Sequence, residues 1–273
     1  MKALSRAYIA LILFFLYAPV LVMIAFSFNS AKSVWIFEGF STKWYTGLLA
    51  NTTMMSALQN TLLIALLSAV ISTVLGTAAA VGIDALRNKI AKSALMSITN
   101  IPMMNADIVT GISLMLLFIF FGKLLGLHES LGLVTVLIAH ITFNLPYVIL
   151  SVLPKLRQVD RHLPEAALDL GCTPVMAFFK VVLPGISTGI VTGFIMAFTL
   201  SLDDFVISYF TCGHFQTLPI VIYNMTKRTV TPDAYALSTL IFIIIFVLLI
   251  LYNVLQSKSE KKRAKAVFTA GRN

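Results

Sequence analysis

Six long apolar blocks, each about as long as a bilayer core is thick, constrain this chain more than any other feature. A hydrocarbon core about 30 Å thick needs roughly 20 apolar residues in a helix to cross it. The blocks run over 8–28, 58–81, 94–121, 131–153, 186–210 and 236–254. The first two contain no charged residue, the third is interrupted by Pro102 and Asp107, the fourth contains His140 and Pro146, and the fifth carries Asp203 and Asp204. In lipid every backbone polar group must be satisfied within its own segment, and the strict alternation of a barrel strand is absent. The spacing therefore predicts an all-α integral membrane protein with six transmembrane helices. With 59% apolar residues, 11% charged residues and a mean hydropathy of +0.93, a soluble domain is excluded.

Positive charge orients the spans. With the N-terminus inside, fifteen of the 20 Lys and Arg residues fall on inner segments, including Arg87, Lys89, Lys92, Lys155, Arg157, Arg161, Lys180 and the cluster from Lys258 to Arg272. Only Lys32, Lys43, Lys123, Lys227 and Arg228 fall on outer ones. Both termini are expected in the cytoplasm, and this topology explains the net charge of +9 without a nucleic-acid partner. The first block reads as an uncleaved anchor, because it is longer than a signal-peptide core and Phe26-Ser27-Phe28 offers no small-x-small cleavage site. Cys172 and Cys212 are expected on opposite sides of the membrane, which excludes a disulfide and leaves no metal cluster. Phosphate-loop and nucleophile-elbow motifs are missing, and His128, His140, His162 and His214 are scattered, so no enzyme and no cofactor of its own are expected. The whole chain reads as one transmembrane domain with a core over about 56–254, followed by a basic tail, 258–273, expected to fray.

The connection between the fourth and fifth blocks, 154–185, is too structured to be a plain loop. Pro164 suits a first helical position, Glu165 favours the positive end of the helix dipole, and Gly171 suits a left-handed C-cap. Thr173 with Pro174 then starts a second helix, which Leu183-Pro184-Gly185 is expected to stop. From spacing alone this is a rigid protrusion or a structural linker. Glu165-Ala166-Ala167, Gly171 and Val182-Leu183-Pro184, however, resemble the EAA loop of binding-protein-dependent ABC importer permeases.

The similarity extends over nearly the whole chain except the tail. Phe40-Ser41-Thr42-Lys43-Trp44-Tyr45, Asp107-Ile108-Val109, His140-Ile141-Thr142-Phe143 and Phe198 to Asp204 resemble the PotC-type spermidine/putrescine permease subunits. The resemblance implies a type I ABC importer permease (MetI-like) fold. It also implies pairing with a PotB-like second permease subunit, a cytoplasmic ATPase dimer that binds the ATP and Mg, and an extracytoplasmic polyamine-binding protein. Glu165, Ala166, Ala167 and Gly171 match the element that docks on the ATPase and transmits its closure.

Carboxylates at membrane depth are expensive and point to function. Asp107 follows an expected helix break at Pro102 and Asn105, and such breaks line solute paths; as an alternative, Asp107 caps the following helix and never meets solute. Asp203 and Asp204 are adjacent, about 100° apart around a helix, so they cannot form one chelating pair. Either they serve a protonated amine chain or they are an interfacial pair at a helix end. The resemblance implies pathway roles for Trp44, Asp107, Ser201, Asp203 and Asp204. Trp44 could hold an ammonium over its ring or sit in the interfacial belt. The ladders Gly185, Gly189, Gly193 and Ser68, Ser72, Gly76, Ala80 read as helix-packing faces, and His140 as the site of an interhelical hydrogen bond. The other readings are an importer for an amino acid, iron or an oxyanion, a secondary transporter, and a channel. The EAA-like element has no use in the last two.

Overall fold

The computed structural model describes residues 2–31, 36–127, 130–160, 162–228, 232–247 and 249–250. Arg161, His128, the last turns of the sixth block and the basic tail lie outside the described residues. Among the described residues the secondary structure is helical, with one isolated antiparallel bridge between Asn29 and Phe40. The helices are α1 (Lys2–Ser27), α2 (Lys43–Ala50), α3 (Thr52–Ala85), α4 (Lys89–Met104), α5 (Asp107–Leu124), α6 (Leu133–Gln158), α7 (His162–Asp169), α8 (Pro174–Ala177), α9 (Leu183–Asp203), α10 (Val206–Thr211), α11 (Leu218–Arg228) and α12 (Pro232–Val247). Five are long and apolar enough to span a membrane: Arg6–Ser27, Thr52–Ala85, Asp107–Leu124, Leu133–Gln158 and the continuous run Pro174–Asp203. Pro232–Val247 is a shorter apolar helix on the sixth block.

Two compact units are formed, one by Ala57–Ile220 and the other by the flanking terminal segments. Within Ala57–Ile220 the core is the seam where α6 meets α9 and α3, built of Ala69, Ala80, Val148, Val152, Ile186 and Ala197. Small residues make it possible. A Cβ on Gly189 would lie 2.8 Å from the Ser151 carbonyl oxygen, one on Gly193 would lie 3.2 Å from the Val148 Cα, and one on Gly76 would lie 2.7 Å from a Val148 methyl. The two ladders are therefore packing faces. Because the atom opposing Gly189 is backbone and cannot rotate away, Gly189→Val is expected to lower stability by about 1–3 kcal/mol, read as a lower unfolding temperature of the detergent-solubilised protein.

One span breaks where expected and two features depart from the sequence reading. The third block is interrupted just before Asp107, as expected: α4 stops at Met104 and α5 begins at Asp107, with Asn105 and Ala106 extended between them. The break falls after Pro102, which stays inside α4. The fifth block is also broken, since α9 ends at Asp203, Asp204 is extended (φ −63°, ψ 119°) and α10 restarts at Val206. Leu183-Pro184-Gly185, conversely, stops nothing. A π-helical turn, Phe178–Val182, joins α8 to α9, and Leu183 N–H reaches back to the Phe178 carbonyl. That wider turn displaces the carbonyl a proline ring would otherwise strike, so the helix passes through Pro184.

The helical hairpin before it forms as expected. Gly171 adopts φ +86° after α7, and Cys172 N–H bonds the Ala167 carbonyl. The Thr173 hydroxyl accepts from Met176 N–H, with Pro174 at the first position of α8. Leu163, Leu168 and Leu170 are exposed on this hairpin, Leu170 at 86%. At its root Asp84, closing α3, pairs with Lys92 of α4 at 3.0 Å and faces Arg157 of α6 at 3.7 Å. An acid at a helix C-terminus opposes the dipole, and the two cations offset it.

Candidate functional site: the broken fifth helix

The break after Asp203 is stabilised by side chains from four helices. Asp204 leaves the helix and turns its carboxylate onto the restarting one, where Oδ1 accepts from Ile207 N–H at 3.3 Å and Oδ2 from Ser208 N–H at 2.8 Å. It thus satisfies two of the orphan donors at the start of α10 and places negative charge at the positive end of that dipole. The Ser208 hydroxyl donates to the same oxygen at 2.8 Å, and His140 Nε2 lies 3.3 Å from it and 2.9 Å from Ser208 Oγ.

On its other side, His140 Nδ1 hydrogen-bonds the hydroxyl of Ser201, which lies 2.9 Å from the hydroxyl of Ser68 on α3. One assignment of protons satisfies the chain. Ser68 donates to Ser201, Ser201 to Nδ1, and Nε2–H is shared between Ser208 and Asp204. His140, Ser201, Ser208 and Ser68 are all buried, His140 at 1%. His140 therefore makes the interhelical hydrogen bond expected of it, joined by Ser208, which the sequence does not single out, and by Ser68, which the sequence marks only as a position on a packing face.

Asp203 differs from its neighbour. It ends α9, is exposed, and pairs with no cation among the described residues. Asp107 is exposed at the first turn of α5. Gly111, one turn further on, packs on Ile207 and Phe210 of α10. The C-terminal ends of α5 and α10 both meet the 130–135 stretch, through Gly122 with Ser130 and Thr211 with Thr135, so the two half-helices run parallel. Asp107 is consequently at the same end of the α5–α10 contact as the 203–204 break. Two helix breaks thus bring their acids to one end of one packed pair.

Trp44 belongs to the other compact unit. Its indole N–H donates to the Asn29 carbonyl at 2.6 Å, and Lys43 Nζ lies over its ring, 4.6 Å from the centroid. Asn29 is 1% exposed and organises the turn, its Oδ1 accepting from Ala31 N–H and Glu38 N–H. Tyr45 hydroxyl meets Ser27 Oγ at 2.7 Å. Glu165 lies in the first turn of α7, 3.3 Å from His162 Nδ1, with Ala166 and Ala167 in the same helix. Cys172 and Cys212 are free thiols.

Comparison with known proteins gives these features a family. Residues 72–265 match the family model described as "Binding-protein-dependent transport system inner membrane component". The chain is 38% identical over 259 residues to the putrescine transport system permease protein PotI of Escherichia coli (strain K12), covering 94% of this chain and 92% of that one. It is 35% identical over 250 residues to the spermidine/putrescine transport system permease protein PotC of the same organism, covering 91% and 92%. In structure it is similar to a chain of a bacterial ABC transporter involved in the import of the acidic polysaccharide alginate, with TM-score 0.70, 16% identity and 94% of each chain covered. The all-helical fold is that of the ABC importer permeases, and the chain belongs to the family of binding-protein-dependent transport system inner membrane components.

Proposed function

We propose that this chain is a membrane-spanning subunit of an ATP-driven importer that moves a polyamine, putrescine or spermidine, across the bacterial inner membrane. The observation that supports the substrate is the 38% identity, over almost the full chain, to a putrescine permease. The site chemistry agrees with it. Asp107 and Asp203 are exposed acids at one end of the α5–α10 pair, and no Lys or Arg lies within α9 or α10. A protonated amine losing water needs opposite charge or several acceptors, which exposed carboxylates supply and an anion would not tolerate.

In this reading both termini are cytoplasmic, and a PotB-like subunit supplies the other half of the pathway. A solute-loaded polyamine-binding protein docks outside. ATP and Mg are held by a separate ATPase dimer, which the α7–α8 hairpin contacts through Glu165, Ala166, Ala167 and the exposed leucines around Gly171. A residue with a Cβ at φ +86° is strained by about 1–2 kcal/mol, so Gly171→Val is expected to loosen the hairpin. Solute-stimulated ATP hydrolysis should then fall while the complex still assembles.

The direct test is uptake of labelled putrescine and spermidine into proteoliposomes holding the assembled complex with ATP inside. ATP-dependent uptake of either supports the proposal. Hydrolysis stimulated by a different solute's binding protein, with no polyamine uptake, would keep the permease and overturn the substrate.

A further inference from the structure

Contacts along the seam of α3, α6 and α9 fix which residues stand level with one another. Ser68 of α3 and Ser201 of α9 meet at 2.9 Å, and His140 of α6 joins them. Two turns along α6, a Cβ on Gly76 of α3 or on Gly193 of α9 would meet Val148. Asn144 lies midway between His140 and Val148, Ser72 midway between Ser68 and Gly76, and Ala197 midway between Gly193 and Ser201. Residues four apart lie one above the other on a helix face, so Asn144, Ser72 and Ala197 share a level in the seam. Each is 0% exposed.

Asn144 does not fit an apolar seam. Its amide oxygen and its amide nitrogen both have no hydrogen-bond partner on the protein. Turning the amide over exchanges two unpaired atoms and mends neither. Burying an amide without a hydrogen bond is costly, and interiors satisfy such groups through protein or ordered water. At 0% exposure Asn144 is out of reach of lipid and of another subunit. Thr73 and Thr77 also carry unpaired hydroxyls, but a threonine can turn its hydroxyl to a carbonyl of its own helix, which an asparagine in this seam cannot match with two atoms. On α3, Ser72 donates its hydroxyl proton to the Ser68 carbonyl at 2.6 Å, which leaves its oxygen able to accept. Ala197 presents only a methyl on the third side.

We propose that the seam of α3, α6 and α9 holds an internal water molecule at Asn144, bridging α6 to α3. The water accepts from Asn144 Nδ2 and donates to Asn144 Oδ1 and to Ser72 Oγ. Three hydrogen bonds are typical of a buried water, and a bridge of this kind is nearly as good as a direct bond. It ties the two helices together one turn from His140, and it does so whichever solute the complex moves.

The test uses the assembled complex in lipid, with isotope-labelled asparagine and solid-state NMR in which magnetisation starts on water. The Asn144 side-chain amide is identified by its loss in Asn144→Val or Asn144→Ala. It is expected to receive magnetisation from water within about tenfold of the time needed by exposed Asn88. Slower build-up, as in a dry interior, would overturn the inference.

Unfolding temperatures give an independent arm. Asn144→Val and Ser72→Ala each break the bridge, so each should lower the unfolding temperature by about 2–4 °C, and the double variant by little more than the larger single effect. Effects that simply add would overturn the bridge. Ser72→Ala decides the question alone if no Asn144 variant assembles. Without the water its hydroxyl serves only its own helix, and the variant would be as stable as the unaltered chain.

Discussion

Asp203→Asn is expected to raise the solute concentration for half-maximal uptake by about tenfold or more while leaving the protein folded and assembled. The residue is exposed at the end of α9 and forms no ion pair among the described residues, so removing its charge disturbs little of the protein's own structure. What it removes is attraction for a partly dehydrated ammonium, and truncating one member of a desolvated charge pair costs about 2–5 kcal/mol. Part of the site stays hydrated, which puts the expected effect at the lower end. Concentration dependence of uptake in proteoliposomes checks it. A variant with unchanged half-saturation would remove Asp203 from the pathway.

His140→Leu should act in the opposite way and mainly on stability. Leucine is close to histidine in volume, but it strips Asp204 of one partner and leaves Ser201 and Ser208 each short of one, all in a buried setting. Breaking a buried charged pair from one side typically destabilises by about 3–5 kcal/mol. The expected result is poor accumulation of the chain and a complex that falls apart on solubilisation. His140→Gln keeps an amide donor and an acceptor and should recover part of the stability. Comparing the two variants by size-exclusion yield and unfolding temperature checks this, and a fully stable His140→Leu would contradict the network.

Much of this was legible in the chain itself, for physical reasons. Spans longer than a bilayer is thick announce themselves by length alone. The α7–α8 hairpin was readable because its signals are local: Gly171, Thr173 and Pro174 each act within a few residues. The small-residue ladders were readable because only close approach of backbones needs them. What stayed hidden depends on partners far along the chain. Phe198 to Phe210 looks like one apolar helix, and nothing within it says that Asp204 will leave the helix. The cause lies on α6, 64 positions away from Asp204, where His140 supplies the partner. Ser208, and the hydrogen-bonding role of the ladder residue Ser68, were invisible in the same way, since a serine in an apolar run satisfies itself on its own helix as readily as on another. Pro184 misled because a proline ordinarily ends a helix, and the π-helical turn that accommodates it has no clear signature.

Trp44 shows the limit from the other direction. Its resemblance-derived role is solute contact, yet its indole N–H is engaged with Asn29 and one ring face is covered by Lys43. Lys43→Met is expected to uncover that face. If an ammonium of the solute uses it, half-saturation should fall severalfold, since an exposed cation-π contact is worth about 0.5–1 kcal/mol.

The central claim is a polyamine pathway whose charge comes from Asp203 and whose shape comes from the His140 network. Its most direct measurement is ATP-dependent spermidine uptake by the assembled complex as a function of concentration, for the unaltered chain, Asp203→Asn and Ser208→Ala. The account predicts saturable uptake, a raised half-saturation for the first variant and a lowered maximal rate for the second. Identical behaviour of the two variants, or no uptake by the unaltered complex, would contradict it.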